Sequence, residues 1–474
     1  MIRKTKIIAT IGPSTSSRAI LKKLIQKGVN ICRLNFSHVS HVQAKELISL
    51  IKSINQELNV HTAILADLQG PKIRIGLLAN PKKIRRGEDF FITTSKSSNK
   101  GVYVDYKRLA KDVKPKDVIL LDDGKLRLKV ISTDKKNLVK TEVIFGGILH
   151  SNKGINLPNT KISLPCLTKK DLKDLDFILN EKIEWLGLSF VREAEDVLRL
   201  KRIIKKKNKS IGVISKIEKP EAIKSIDKII ECSDAIMVAR GDLGVEVPAY
   251  RVPAYQKMIV KKAIKKSKPV IIATQMLESM TENAVATRAE VNDVANAVID
   301  GADAVMLSGE TSVGKFPLKT VDTMRNIIRD IEKSDYNFHG DFEYSQKTPE
   351  YKQRNISEAI CSHATQLSEQ VIAKAIITMT YSGYNAIKTS SYRPSAFIYA
   401  FTNNYSILNK LSLVWGVQAY YYDRGATTDQ TIQETKEILK KNKHIKKGDF
   451  VISLASMPAK ERGMTNMIKL SIVK

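Results

Sequence analysis

Short apolar runs alternate with amphipathic stretches through most of this chain. Residues 6–12 form the first run, and Ala19, Ile20, Leu24 and Ile25 then share one face of a predicted helix over 16–27. The rhythm repeats with a strand at 30–38, a helix at 42–57 and a strand at 62–68. Between 71 and 161 the period changes: short alternating strands with turn signals replace the helices, at 89–93, 118–122, 126–130 and 138–143. The first rhythm resumes at Thr168, read as the N-cap of a helix over 169–180. Strands follow at 185–190, 211–217, 235–242, 269–275 and 304–310. A polar stretch at 333–355 reads as a linker. Beyond it come a helix at 356–370, strands at 375–379, 396–401, 417–422 and 450–454, and an edge strand at 467–473.

Eight near-continuous apolar strands, alternating with helices, are the count that closes a (β/α)8 barrel. The expected fold class is therefore α/β. A (β/α)8 TIM barrel is expected from residues 1–70 and 162–340, an inserted small β-barrel domain at 71–161, and a C-terminal open α/β domain at 355–474. A length of 474 residues exceeds one ordinary core, in keeping with several domains. In such barrels chemistry gathers at the carboxyl ends of the strands. Polar residues collect there: Arg33, Asn35 and Ser37; Asp67; Lys216 and Glu218; Arg240 and Asp242; Thr274.

Composition narrows the function classes. The net charge is +30, but the lysines are spread over nearly every predicted helix, as at Lys22-Lys23, Lys205-Lys206-Lys207 and Lys261-Lys262. Aromatic residues are 6% of the chain, with no ladder of rings on which bases would stack. No nucleic-acid partner is expected. Cys32, Cys166, Cys232 and Cys361 are widely spaced without a CxxC pair, which indicates neither a zinc site nor a disulfide framework. Apolar runs fall far short of the ~18 residues that span a membrane. Strand-like sequence from Lys6 leaves no room for a signal peptide, so a reducing cytoplasm is the expected location.

The densest chemistry lies at 214–220, where Lys216 and Glu218 alternate onto the same side of one strand. The pair reads either as a salt-bridged strand end or as a site for an anionic substrate and a metal. Glu218 and Asp242 end adjacent strands, so their carboxylates can converge on one cation. Two carboxylates, completed by substrate oxygens and waters, suit Mg2+. No His or Cys ends a nearby strand, which disfavours a transition metal. Arg33, Lys216 and Arg240 supply positive charge around that point, and the run 240–244 offers free backbone N–H groups as a seat for a carboxylate. Phosphoryl transfer asks for this combination of alignment and charge neutralisation.

At this point the sequence resembles pyruvate kinase. The matching runs are 5–13 (TKIIATIGP), 33–38 (RLNFSH), 67–74 (DLQGPKIR), 214–221 (ISKIEKPE), 237–246 (MVARGDLGVE), 273–280 (ATQMLESM), 293–297 (DVANA) and 306–311 (MLSGET). They cover the whole barrel in the family's order, and 156–158 with Leu164-Pro165 match the exit from its inserted domain. The resemblance implies transfer of a phosphoryl group from phosphoenolpyruvate to ADP, giving pyruvate and ATP, the final step of glycolysis. It implies that Arg33 binds the transferring phosphate and that Lys216 stabilises the phosphoryl group and the enolate. Glu218 and Asp242 then hold Mg2+, with Mn2+ as a substitute. The backbone at Gly241 and Asp242, with Thr274, holds the substrate carboxylate, and Thr274 also falls in the family's proton-delivery region. Asn35, Phe36, Ser37, His38, Arg74 and Lys153 line the nucleotide side. The inserted domain becomes a lid with hinges near Gly70-Pro71 and 161–164, and the assembly a homotetramer. The C-terminal turn 380–386 reads either as a phosphate seat for a phosphorylated effector or as an ordinary αβ turn. The final loop at 457–466 matches the family poorly.

Two departures stand out. Many family members carry Glu at the position of Lys72 and need K+, held by groups matching Asn35, Ser37, Asp67 and the Leu68 carbonyl. Here Lys72 brings its own ammonium, so activity with little K+ dependence is expected. Ala284-Val285-Ala286 stands where the family often has Pro-x-Pro. A lyase or aldolase barrel acting on pyruvate-like substrates is the alternative, but it would need neither the inserted domain nor Lys216.

Overall fold

The computed structural model describes residues 3–98, 100–158, 160–334, 352–424, 427–457 and 465–474. Eight parallel strands close into a barrel: Lys6–Thr10, Ile31–Asn35, Ala63–Asp67, Trp185–Leu188, Gly212–Ile217, Ala235–Ala239, Val270–Ala273 and Ala304–Leu307. Of their residues only Asn35 is not buried. Side chains point both into the barrel and under the helices, which is why these strands read as continuous apolar runs rather than as alternation. Helix starts are set locally. Thr168 caps the helix Lys169–Asn180 as expected, with Asp171 completing a capping box.

Between the third and fourth barrel strands lies a seven-stranded sheet. Its order is Ile73–Arg74, Gly154–Asn156, Val118–Leu121, Leu126–Thr133, Leu138–Phe145, Asp89–Thr93 and Val102–Tyr103. Its two edges meet through a bridge between Ile75 and Val104, with Gly76 N–H donating to the Tyr103 carbonyl at 2.8 Å. The sheet is thereby closed on itself around Phe90, Ile119, Leu128 and Val139. A short helix, Leu109–Asp112, stands where no helical period is expected, since one turn is too short to show one.

The C-terminal sheet has the order Val417–Tyr421, Phe397–Thr402, Ala375–Met379, Phe450–Ala455 and Met467–Ile472. The first four strands are parallel and the last is an antiparallel edge. Most of the predicted linker lies outside the described residues.

This sheet closes the lower end of the barrel. Leu413 packs into the barrel cluster of Ile8, Ile31, Trp185 and Met306. Around it Arg393 pairs with Asp303 at 2.8 Å, and the Lys6 ammonium donates to the Val417 carbonyl at 2.7 Å. The carboxyl ends of the strands are left as the end available for chemistry.

Burial lowers the pKa of Lys6 to about 7, with Arg3 adding to the effect and Glu332 and Asp303 opposing it. The unfolded chain would hold the Lys6 proton up to a pKa of 10.5. Between these two values the unfolded state binds more protons, so this residue makes stability rise with pH. Lys6→Met should remove that rise, read as the difference between wild-type and variant urea midpoints across that pH window. Identical pH slopes would contradict the assignment.

Candidate active site

Two cations and two carboxylates meet at the carboxyl ends of the second, third and fifth barrel strands. Asp67 is fully buried and lies between Arg33 and Lys216. Its Oδ2 accepts from Arg33 Nε at 2.8 Å, and its Oδ1 lies 3.3 Å from Lys216 Nζ. Arg33 also donates to Thr10 Oγ1 at 2.9 Å. Lys216 Nζ lies 2.9 Å from Glu218 Oε1 and donates to Ser189 Oγ at 2.7 Å. The backbone leaves room for this cluster at Gly187, where a Cβ would come within 2.8 Å of Asp67 Oδ1.

The charges set one another's protonation. Burial alone would lower the Lys216 pKa, but Asp67 and Glu218 outweigh it and hold the ammonium above its ordinary value. Burial would raise Asp67, yet Lys216 and Arg33 keep it below the usual carboxylate range. Glu218 goes the other way: burial raises its pKa, and the nearby Asp242 carboxylate adds to the rise against the pull of Lys216. Burial is the larger cause of that rise, and the second carboxylate adds to it.

That is the environment a divalent cation relieves. Glu218 Oε2 accepts the Phe190 N–H at 2.7 Å, while the buried Oε1 lacks a directed hydrogen bond although Lys216 is close. Asp242 is half-buried and faces the Lys72 ammonium at 3.5 Å. The donor set is two carboxylates with no His or Cys, and no cluster of three or more such ligands occurs among the described residues. This fits a hard cation that keeps positions for waters and substrate.

The substrate-carboxylate groups come together on the sixth and seventh strands, but not as free donors. Gly241 N–H is given to Thr274 Oγ1 at 2.7 Å, and that hydroxyl donates to the Ala273 carbonyl at 2.5 Å. Thr274 has φ 72°, a strained conformation for a β-branched residue. Arg240 is what holds it. The sequence reading placed Arg240 among the charges around the metal; instead both its terminal nitrogens bind Asp293 at 2.6 Å, and one also reaches the Thr274 carbonyl at 2.9 Å. Its charge is spent on positioning the loop.

The nucleotide-side residues are less gathered. Asn35 Oδ1 accepts from Ser37 N–H at 3.1 Å, and the Phe36 carbonyl accepts from Lys170 at 2.5 Å. His38 lies at the surface with part of its ring covered, and that covering, with the cations around it, lowers its pKa. Arg74 donates to the Asn152 carbonyl at 3.0 Å, and Lys153 pairs with Asp122 at 2.8 Å, so both are engaged inside the inserted domain. At the expected monovalent-cation position the Leu68 carbonyl accepts from Ser189 Oγ at 2.7 Å. Lys72 pairs with Asp242 rather than with any of the four groups of that position.

Ser189 is the residue the sequence reading omitted. Its hydroxyl donates to Leu68 and is thereby turned to accept from Lys216. The available signal was its place as a polar residue at the end of the fourth predicted strand.

The family profile "Pyruvate kinase, barrel domain" matches residues 2–321, and "Pyruvate kinase, alpha/beta domain" matches residues 358–471. The chain is 42% identical to pyruvate kinase 2 of Synechocystis sp., over all of this chain and 80% of that protein. It is 39% identical to pyruvate kinase of Clostridium acetobutylicum over the full length of both. The crystal structure of a pyruvate kinase from Cryptosporidium parvum superposes with a TM-score of 0.92 at 34% identity, covering 99% of this chain and 96% of that one.

Asp67→Ala would leave Arg33 and Lys216 buried without their shared counter-charge. Removing one partner of a buried pair costs about 3–5 kcal/mol. Chemical denaturation should show a loss of that order; a change below about 1 kcal/mol would mean water already screens the cluster.

Proposed function

The chain belongs to the pyruvate kinase family and transfers a phosphoryl group from phosphoenolpyruvate to ADP in glycolysis; from that premise we propose how its own residues divide the work. Arg33 and Lys216 take the transferring phosphoryl group between them. The observation that carries this reading is their shared hold on Asp67, which fixes both cations at one buried point. Positive charge held ready in this way needs no reorganisation when the reaction begins. A cation aimed at the charge in flight contributes on the order of 10^3 to 10^5 in rate.

Glu218 and Asp242 would hold Mg2+, or Mn2+ in its place, and the cation would supply positive charge to neutralise the phosphoryl group. Lys216, held charged by Asp67 and Glu218, would pair with the enolate oxygen. The substrate carboxylate would take over the Gly241 N–H that Thr274 Oγ1 now accepts. That exchange leaves the Thr274 hydroxyl beside the enolate, in a place to pass on the proton that makes the methyl group.

The domain at 71–161 would act as a lid, bringing Arg74 and Lys153 over the nucleotide bound along Asn35, Phe36, Ser37 and His38. From its place beside Asp242, and without touching the four groups of the monovalent-cation position, Lys72 would supply the charge that K+ provides elsewhere. The Leu68 carbonyl is satisfied by Ser189 and Asn35 by Ser37, which supports activity without K+. A homotetramer in the cytoplasm is the assembly and location proposed; among the described residues no helix is long and apolar enough to cross a membrane. The C-terminal turn, where Gly383 has φ 84° at the start of the helix Tyr384–Ser391, would seat a phosphorylated effector. The final loop read beside it falls largely at 458–464, outside the described residues.

A coupled assay with phosphoenolpyruvate, ADP and Mg2+ should release pyruvate, and Lys216→Met should cut turnover by at least ~10^3 with the fold intact. Turnover within tenfold of wild type would remove Lys216 from the chemistry. Wild-type turnover should be the same in Na+ and K+ buffers, and Lys72→Glu should create a K+ requirement. A Lys72→Glu enzyme indifferent to K+ would contradict the role given to this ammonium.

A further inference from the structure

Lys219 and Glu246 form a buried ion pair that phosphoryl transfer, as described above, does not use. Lys219 Nζ lies 2.6 Å from Glu246 Oε1, and the two residues are 6% and 4% exposed. A pair so fully removed from water gains little stability over apolar residues of the same size. Its geometry suggests a different purpose. Lys219 directly follows Glu218, and Glu246 lies one turn beyond Asp242 on the helix Arg240–Glu246. The pair therefore ties together the two segments that carry the metal carboxylates.

Two further contacts converge on it. Asn156, at the end of the strand Gly154–Asn156 in the inserted domain, donates its Nδ2 to the same Glu246 Oε1 at 2.8 Å. The Lys219 ammonium also lies over the Phe190 ring, 5.8 Å from its centre. Phe190 has φ 55°, a conformation that a bulky residue keeps only when its surroundings impose it. That conformation aims the Phe190 N–H at Glu218 Oε2. Glu246 Oε2 is buried without a hydrogen bond, so the contacts of this carboxylate converge on Oε1.

We propose that Lys219, Glu246 and Asn156 are positioning residues that set the spacing of Glu218 and Asp242 for the divalent cation and make that spacing depend on where the lid sits. They act through Phe190 N–H and through the chain on either side, not by touching the cation. The inference rests on the metal reading given under the proposed function.

The test is Mn2+ titration of the full-length enzyme without substrates, with free Mn2+ read by electron paramagnetic resonance. The double variant Lys219→Met/Glu246→Leu exchanges the ion pair for an apolar contact, a replacement that is often neutral for stability. Its Mn2+ affinity should fall about 10- to 100-fold, the usual effect of losing a group that orients metal ligands. Lys219→Arg keeps the charge and should recover most of the affinity. Asn156→Leu should weaken binding in the same direction by less. It keeps the test decisive should the double variant melt early, because unchanged affinity in Asn156→Leu overturns the lid coupling. Wild-type affinity in a folded double variant overturns the proposal as a whole. A wild-type enzyme that takes up no Mn2+ would overturn the metal reading first, and this inference with it.

Discussion

Everything at this site depends on holding Lys216 charged and pointed in a place with almost no water. Burial opposes that charge, and Asp67 and Glu218 overcome the opposition. Asp67 in turn needs Arg33 as well as Lys216 to stay ionised. No one of these groups is stable at this point alone. Together they hold two cations at one buried point, the arrangement on which the proposed phosphoryl-binding role rests.

The fold carries the cost of that arrangement elsewhere. The lower end of the barrel is closed by Leu413 and by the Arg393–Asp303 pair, so the open end is the one bearing the charges. Gly187 keeps side chains away from Asp67. Gly70, with φ 69°, lets the chain leave the barrel where a Cβ would press within 2.8 Å of the Phe190 ring. Strain is tolerated at Thr274 and Phe190 because buried polar contacts hold both.

The barrel was legible in the sequence because burial on both faces makes each strand a continuous apolar run. Site residues at strand ends were legible because polar groups interrupt those runs. What could not be read was pairing over distance. Arg240 looks like a free cation in sequence, but its partner Asp293 stands far along the chain. The closing of the inserted sheet depends on one bridge, Ile75 to Val104, that no local period announces. Lys216 and Glu218 posed a choice between a salt-bridged strand end and a functional pair. The structure has them 2.9 Å apart within a larger cluster, so the ion pair is itself part of the site geometry.

On the reading proposed here, Glu218 would exchange Lys216 for a divalent cation when the site is loaded. Oxalate is isoelectronic in shape and charge with the enolate of pyruvate, and Mn2+ scatters anomalously. Diffraction from crystals grown with both should show the manganese peak between Glu218 and Asp242, with the Lys216 ammonium turned from Glu218 onto an oxalate oxygen. A manganese peak elsewhere, or a Lys216–Glu218 pair unchanged beside bound oxalate, would contradict the account.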